Sequence, residues 1–127
     1  MYTMYKISWD EVMRMSIQLA RKMQGKCIWG IPRGGSIVAA IMSFHGCLLV
    51  DVLTEAHVIV DDIACSGRTL NELRSPTAVL VVRAKCSYKP SYWVVQLDAL
   101  DYVLFPWEDE EKIQEQIAQS GFRSRGD

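Results

Sequence analysis

The chain lacks a surplus of either charge: 14 basic residues stand against 15 acidic ones, for a net charge of −1. That balance gives no reason to expect generic nucleic-acid binding. It lacks any apolar run near the roughly 20 residues that a bilayer span requires. The opening Met1-Tyr2-Thr3-Met4-Tyr5-Lys6 holds no apolar segment of the kind found in a signal peptide. It also lacks a Cys-x-x-Cys pair. Cys27, Cys47, Cys65 and Cys86 are widely spaced, which fits reduced core or site thiols better than a disulfide or zinc framework. His45 and His57 complete no metal-ligand spacing. Internal repeats, linkers and low-complexity segments are missing as well. What is present is a 127-residue chain, 50% hydrophobic and 23% charged, enough for one domain (1–127) with a real core rather than a disordered segment. A cytoplasmic protein is expected.

The most informative stretch runs from His57 to Leu70, His-Val-Ile-Val-Asp-Asp-Ile-Ala-Cys-Ser-Gly-Arg-Thr-Leu. Val58, Ile59 and Val60 form an apolar β-branched run typical of a buried parallel strand. Asp61 and Asp62 are expected to end that strand, a turn of small and hydroxylic residues follows, and a helix then begins. Unpaired N–H groups at a helix start attract anions. Ser66 and Thr69 add hydroxyl donors, and Gly67 lets the backbone approach phosphate oxygens. The two carboxylates, further back, are placed to accept hydrogen bonds from sugar hydroxyls. The run therefore describes a site for a phosphorylated sugar. A Walker A loop is excluded, because Asp62 and Arg68 stand where its glycine and lysine belong. A phosphatase-type Cys65 is unsupported, since Asn71 occupies the position of the expected arginine. Taken alone, the run also fits a strand whose acidic end and Ser/Thr turn merely cap a helix.

In chain order, Ser8 or Asp10 caps a first helix reaching about Met23, and Gly25 suits its stop. Residues Cys27 to Ile31 read as a short buried strand. Pro32-Arg33-Gly34-Gly35-Ser36 is a loop, Ile37 to about Phe44 a second helix closed by Gly46, and Leu48 to Leu53 a strand. A short helix from Gly67 to Leu73 follows the acidic stretch. Strands are then expected at Ala78–Val82, Tyr92–Leu97 and, as an edge strand, Asp101–Phe105. Asp109–Gln119 is a polar amphipathic helix, with a frayed tail from Gly121 (residues 121–127). Alternating strands and helices argue for an α/β fold, a three-layer parallel sheet of about four to five strands flanked by helices. Ligands of such sheets sit at the carboxyl ends of the strands. Arg33 and the Asp61/Asp62 pair both fall at such ends, so the two motifs are expected to face one crevice.

Several of these residues occur together in a known pattern. Apolar residues, two acids, a short variable segment and Ser66-Gly67-Arg68-Thr69 resemble the phosphoribosyl-pyrophosphate signature of the type I phosphoribosyltransferases. Ile31-Pro32-Arg33-Gly34-Gly35, some thirty residues earlier, looks like the pyrophosphate loop of that family. Tyr5-Lys6-Ile7-Ser8-Trp9-Asp10 is similar to the opening of its bacterial xanthine-guanine branch. Arg83-Ala84-Lys85 matches an aromatic-Ala-Lys element there, and Tyr102-Val103-Leu104-Phe105-Pro106-Trp107-Glu108 an aromatic-Ile-x-x-Pro-Trp-Asp element. The chain resembles a shortened member of this family.

The resemblance implies transfer of ribose 5-phosphate from phosphoribosyl pyrophosphate to a purine base of the guanine, xanthine or hypoxanthine kind, with release of pyrophosphate. Ala64, Cys65, Ser66, Gly67, Arg68 and Thr69 would cradle the 5-phosphate. Asp61 and Asp62 would hold the ribose hydroxyls, directly or through Mg²⁺, the expected cofactor. Arg33 and Gly34 would hold the pyrophosphate. Lys85 and Tyr102, with the backbone of Val103, would bind the base. A homodimer or higher homo-oligomer is expected from the family.

Two departures bear on catalysis. Cys65 occupies a position where the purine enzymes usually carry an aspartate, a proposed proton acceptor, and a free thiol is mostly protonated at neutral pH. Between Val52 and Val58 there is room only for a tight, hairpin-like turn, where the family has a long closing loop. A non-catalytic protein that senses a nucleotide or phosphoribosyl pyrophosphate is therefore the alternative. Transfer to a bulkier acceptor is a third, weaker one.

Overall fold

The computed structural model describes residues 3–64, 75–84, 86, 89–98 and 101–120. Strand β1 (Thr3–Lys6) leads to helix α1 (Trp9–Arg21), strand β2 (Cys27–Gly30), helix α2 (Gly34–Ser43) and strand β3 (Leu48–Leu49). Strands β4 (Val58–Ala64), β5 (Thr77–Arg83), β6 (Tyr92–Leu97) and β7 (Asp101–Leu104) follow, and helix α3 (Glu110–Ser120) comes last. The expected helix at 67–73 and the tail 121–127 lie outside the described residues.

Five strands form one all-parallel sheet in the order β3-β2-β4-β5-β6. Strands β4 and β5 are its centre, and nearly every residue in them is buried, as a parallel sheet covered by helices requires. Helix α1 begins in a capping box: the Glu11 N–H donates to Ser8 Oγ (3.1 Å) and the Ser8 N–H to Glu11 Oε1 (3.1 Å). Val12, Met15, Leu19 and Ala20 line its buried face, while Met13, Arg14 and Gln18 face out. Gly35, Val38, Ala39 and Met42 do the same for α2. The two helices pack against each other and over the sheet, and their apolar faces join Ile28, Val58, Val60 and Leu80 in the main core. No helix of the described residues is long and apolar enough to cross a membrane.

The structure departs from the sequence reading at five points. Helix α2 starts at Gly34, not Ile37, so both glycines expected in the loop belong to its first turn. Strand β3 is only Leu48–Leu49, and Leu53–Glu55 is a turn of 3₁₀-helix. The connection from β3 to β4 is not a hairpin, because both strands run parallel to β2 and lie on its opposite sides. The acid pair lies inside β4 rather than ending it. Finally, β7 is no edge strand of the main sheet; it pairs in parallel with β1 in a separate two-stranded sheet, with Tyr5 opposite Val103. That partner is the chain's own first strand, so local pattern around residue 101 carries no sign of it.

Candidate functional site

The strand order creates the site. After β2 the chain moves to β3 on one side, and after β4 it moves to β5 on the other. Neighbouring parallel strands whose connections depart in opposite directions leave a crevice beyond their carboxyl ends. Gly30 pairs with Val60 across this junction, and the Ile31 N–H donates to the Val60 carbonyl at 2.8 Å. One residue further on each strand, the loop at Pro32 and the acid pair at Asp61 begin. Two motifs some thirty residues apart are thereby placed side by side.

The loop is held tightly. The Ser36 N–H donates to the Ile31 carbonyl (3.2 Å) and its hydroxyl to the Gly30 carbonyl (3.3 Å). The Pro32–Arg33 peptide bond is cis. Arg33 is the N-cap residue of α2, and no side chain caps that helix. Of the first-turn N–H groups of α2, that of Ser36 is already bonded, and those of Gly34 and Gly35 are left for an anion at the crevice. Gly35 lies so close to β4 that a Cβ there would collide with the Val60 carbonyl oxygen. A Cβ on Gly34 would run into the Asp62 carboxylate. Loop and acid pair are in van der Waals contact, and only glycine permits it.

Asp62 is buried, 2% exposed, and Asp61 is half-buried. The Asp62 N–H donates to Asp61 Oδ1 and the Ile63 N–H to Asp62 Oδ1, each at 2.8 Å. These bonds orient both carboxyl groups. Among the described residues there is no group of three or more side chains that could hold a metal by themselves. Two carboxylates are what Mg²⁺ needs when phosphate oxygens and water supply the other ligands. The residues present fit a magnesium ion that arrives with a phosphorylated substrate.

A cavity of about 340 Å³ opens beside the loop, lined by Arg33, Gly34, Trp107, Glu108, Lys112 and Gln116 among others. Its size falls in the range of small-ligand sites. The sequence pattern gives no site role to Trp107 or Glu108, which belong to the Pro-Trp element, or to the polar helix that follows them. Only Lys112, Ile113 and Gln116, which share a helix face by their spacing, signalled a common surface. Trp107 is fixed there, stacked on Phe105 (centroids 4.9 Å apart, planes 5° apart) and tilted against Trp9 at 5.7 Å.

Of the other expected site residues, Ala64 is buried at the end of β4. Cys65, Ser66, Gly67, Arg68 and Thr69 lie outside the described residues, as does Lys85. Tyr102 is only 5% exposed in β7, and Val103 is wholly buried in the main core; neither lines the cavity. Arg83, at the end of β5, is 1% exposed, with its Nη1 donating to the Asp98 carbonyl at 3.4 Å. The short connection from β3 to β4 sits at the opposite end of the sheet from the crevice. The Val50 N–H bonds the Ile28 carbonyl and the His57 N–H the Cys27 carbonyl, both at the start of β2. No lid reaches the site from there.

The fold is that of the type I phosphoribosyltransferases, and the resemblance carried by the motifs extends to the whole architecture. A purine phosphoribosyltransferase from Pyrococcus horikoshii superposes with a TM-score of 0.69 at 25% identity, over 84% of this chain and 95% of that one. The xanthine-guanine-hypoxanthine phosphoribosyltransferase of Helicobacter pylori gives 0.70 at 16% identity, over 91% and 99%. A hypothetical protein from Neisseria gonorrhoeae with bound ppGpp gives 0.66 at 16% identity, over 96% and 99%. No protein-family model and no curated protein matches the sequence.

Proposed function

We propose that this chain is a small purine-type phosphoribosyltransferase, one cytoplasmic domain spanning 1–127, which transfers ribose 5-phosphate from phosphoribosyl pyrophosphate to a purine base. The observation that supports this best is the contact between the Arg33-Gly34-Gly35 loop and Asp62 at the crevice between β2 and β4. A pyrophosphate loop and a ribose-binding acid pair have to meet this closely, because the diphosphate leaves from the sugar carbon next to the hydroxyls the acids hold.

In this reading the bond from the anomeric carbon to the diphosphate oxygen breaks while the bond to a purine nitrogen forms, and that nitrogen gives up its proton. Asp61 and Asp62 orient the ribose hydroxyls, and Arg33 with the Gly34 and Gly35 N–H groups stabilises the charge that develops on the leaving diphosphate. By the resemblance, residues 64–69 would hold the 5-phosphate and Lys85 the base, and Tyr102 and Val103, buried and outside the cavity, would have to be uncovered to join it. Magnesium, when bound, neutralises part of the diphosphate charge. Positioning and electrostatics supply the rate, since an oxocarbenium-like transition state needs no covalent help from the protein. A homodimer belongs to the same reading.

A second reading is supported by Cys65 and by the lack of a lid at the β3–β4 connection. It takes the chain as a non-catalytic sensor of a nucleotide or of phosphoribosyl pyrophosphate, and the ppGpp-bound Neisseria neighbour lends it weight. One experiment divides the two. The protein is incubated with magnesium, phosphoribosyl pyrophosphate and a panel of purine and pyrimidine bases, and pyrophosphate release is followed. Base-dependent release is expected. Absence of release, together with thermal stabilisation by a nucleotide, would sink the enzyme reading and favour the sensor.

A further inference from the structure

The cavity beside the pyrophosphate loop holds two cations from distant parts of the chain, Arg33 at the start of α2 and Lys112 in the first turn of α3. Neither forms an ion pair with a described residue. The two carboxylates at the same cavity are engaged otherwise. Glu108 Oε1 accepts the Phe105 N–H at 2.9 Å, and Asp109 Oδ1 accepts the N–H groups of Glu111 (3.0 Å) and Lys112 (3.3 Å), capping α3. Each carboxylate keeps its charge, but neither comes within ion-pair distance of Lys112. Helix α3 is itself steadied against β1 by the Lys6–Glu110 pair at 3.0 Å. Gln116, one turn beyond Lys112 on the same helix, adds an uncharged polar side chain to the wall.

We propose that Lys112 is a second diphosphate-binding residue, which with Arg33 clamps the pyrophosphate group of the substrate between α2 and α3. This rests on the phosphoribosyltransferase reading and deepens it, because it gives that site a wall from the C-terminal helix where the β3–β4 connection supplies none. Two positive groups from separate helices at one cavity suit a ligand with charge on both of its phosphates. A monophosphate at the other end of the crevice needs neither.

The test is calorimetric titration of magnesium pyrophosphate, magnesium phosphoribosyl pyrophosphate and GMP into the wild-type protein and four variants, Lys112→Ala, Lys112→Glu, Lys112→Arg and Arg33→Ala. Loss of one charge-assisted contact is expected to weaken pyrophosphate and phosphoribosyl pyrophosphate about tenfold in Lys112→Ala. Lys112→Glu should lose more and Lys112→Arg should retain most of the affinity, with GMP unchanged throughout. Wild-type pyrophosphate affinity in Lys112→Ala, alongside a loss in Arg33→Ala, overturns the role of Lys112 and leaves the enzyme reading standing. An equal loss for GMP and pyrophosphate also overturns it, since that marks a general disturbance of α3. A wild-type protein that binds neither phosphoribosyl pyrophosphate nor pyrophosphate overturns both.

Discussion

At the scale of single residues, the site is built on close approach. Gly34 and Gly35 serve different ends although they are neighbours. A methyl group at Gly35 meets backbone, the Val60 carbonyl of a central strand, which cannot move without disturbing the sheet. A methyl group at Gly34 meets a side chain instead, the Asp62 carboxylate, which would have to leave its present position. Gly35→Ala should therefore cost about 1–3 kcal/mol of stability, as other overpacking substitutions do. Gly34→Ala should cost less stability yet weaken phosphoribosyl pyrophosphate binding; paired urea melts and titrations measure the split. Asp62→Ala should also weaken that binding, and undiminished affinity would mean that the acid pair has another purpose. Cys47 is buried, and burial pushes its thiol pKa above the ordinary 9.0. A pKa raised by folding means that stability is full below the ordinary value and falls as pH rises through the folded one. Chemical denaturation between pH 8 and pH 10.5 (roughly the span about that value) should show stability decreasing, and Cys47→Ala should flatten part of the decline. Cys47 should also react more slowly than the half-buried Cys27 with a thiol reagent at neutral pH.

At the scale of elements, helix starts carry much of the design. Helix α1 closes its own start with the Ser8–Glu11 box, whereas α2 leaves its start without a side-chain cap. The contrast separates a structural helix end from one facing the crevice. Ser8→Ala should lower stability by about 1 kcal/mol, read as a drop in the thermal midpoint, without altering ligand affinity. A loss of affinity from Ser8→Ala would mean that α1 also shapes the site. The acid pair shows a related economy. Asp61 and Asp62 sit within β4, so a central strand rather than a loop holds them rigid.

At the scale of the molecule, strand order decides where chemistry is located. The switch between β2 and β4 aligns two motifs, and the return of the chain through β7 to pair with β1 brings the Pro-Trp corner and α3 to the same opening. A ligand bridging these parts ties α3 to the sheet. Saturating phosphoribosyl pyrophosphate with magnesium should therefore raise the thermal midpoint and slow amide hydrogen exchange in α3 as well as in the loop at Arg33. Protection confined to the acid pair would place the ligand away from α3.

Legible along the chain were the parallel α/β class, most of the strand positions, and a capped start of α1 at Ser8 or Asp10, of which Ser8 is the cap. Those features rest on local pattern, on apolar β-branched runs, cap residues and glycines whose spacing is legible along the chain. Tertiary structure alone decided that Gly34 abuts Asp62, that β7 pairs with β1, that the β3–β4 connection faces away from the crevice, and that Lys112 faces the cavity of Arg33. The physical reason is separation. Residues dozens of positions apart acquire a common surface only when strand order is set, and strand order follows from packing the whole apolar core rather than from any one segment.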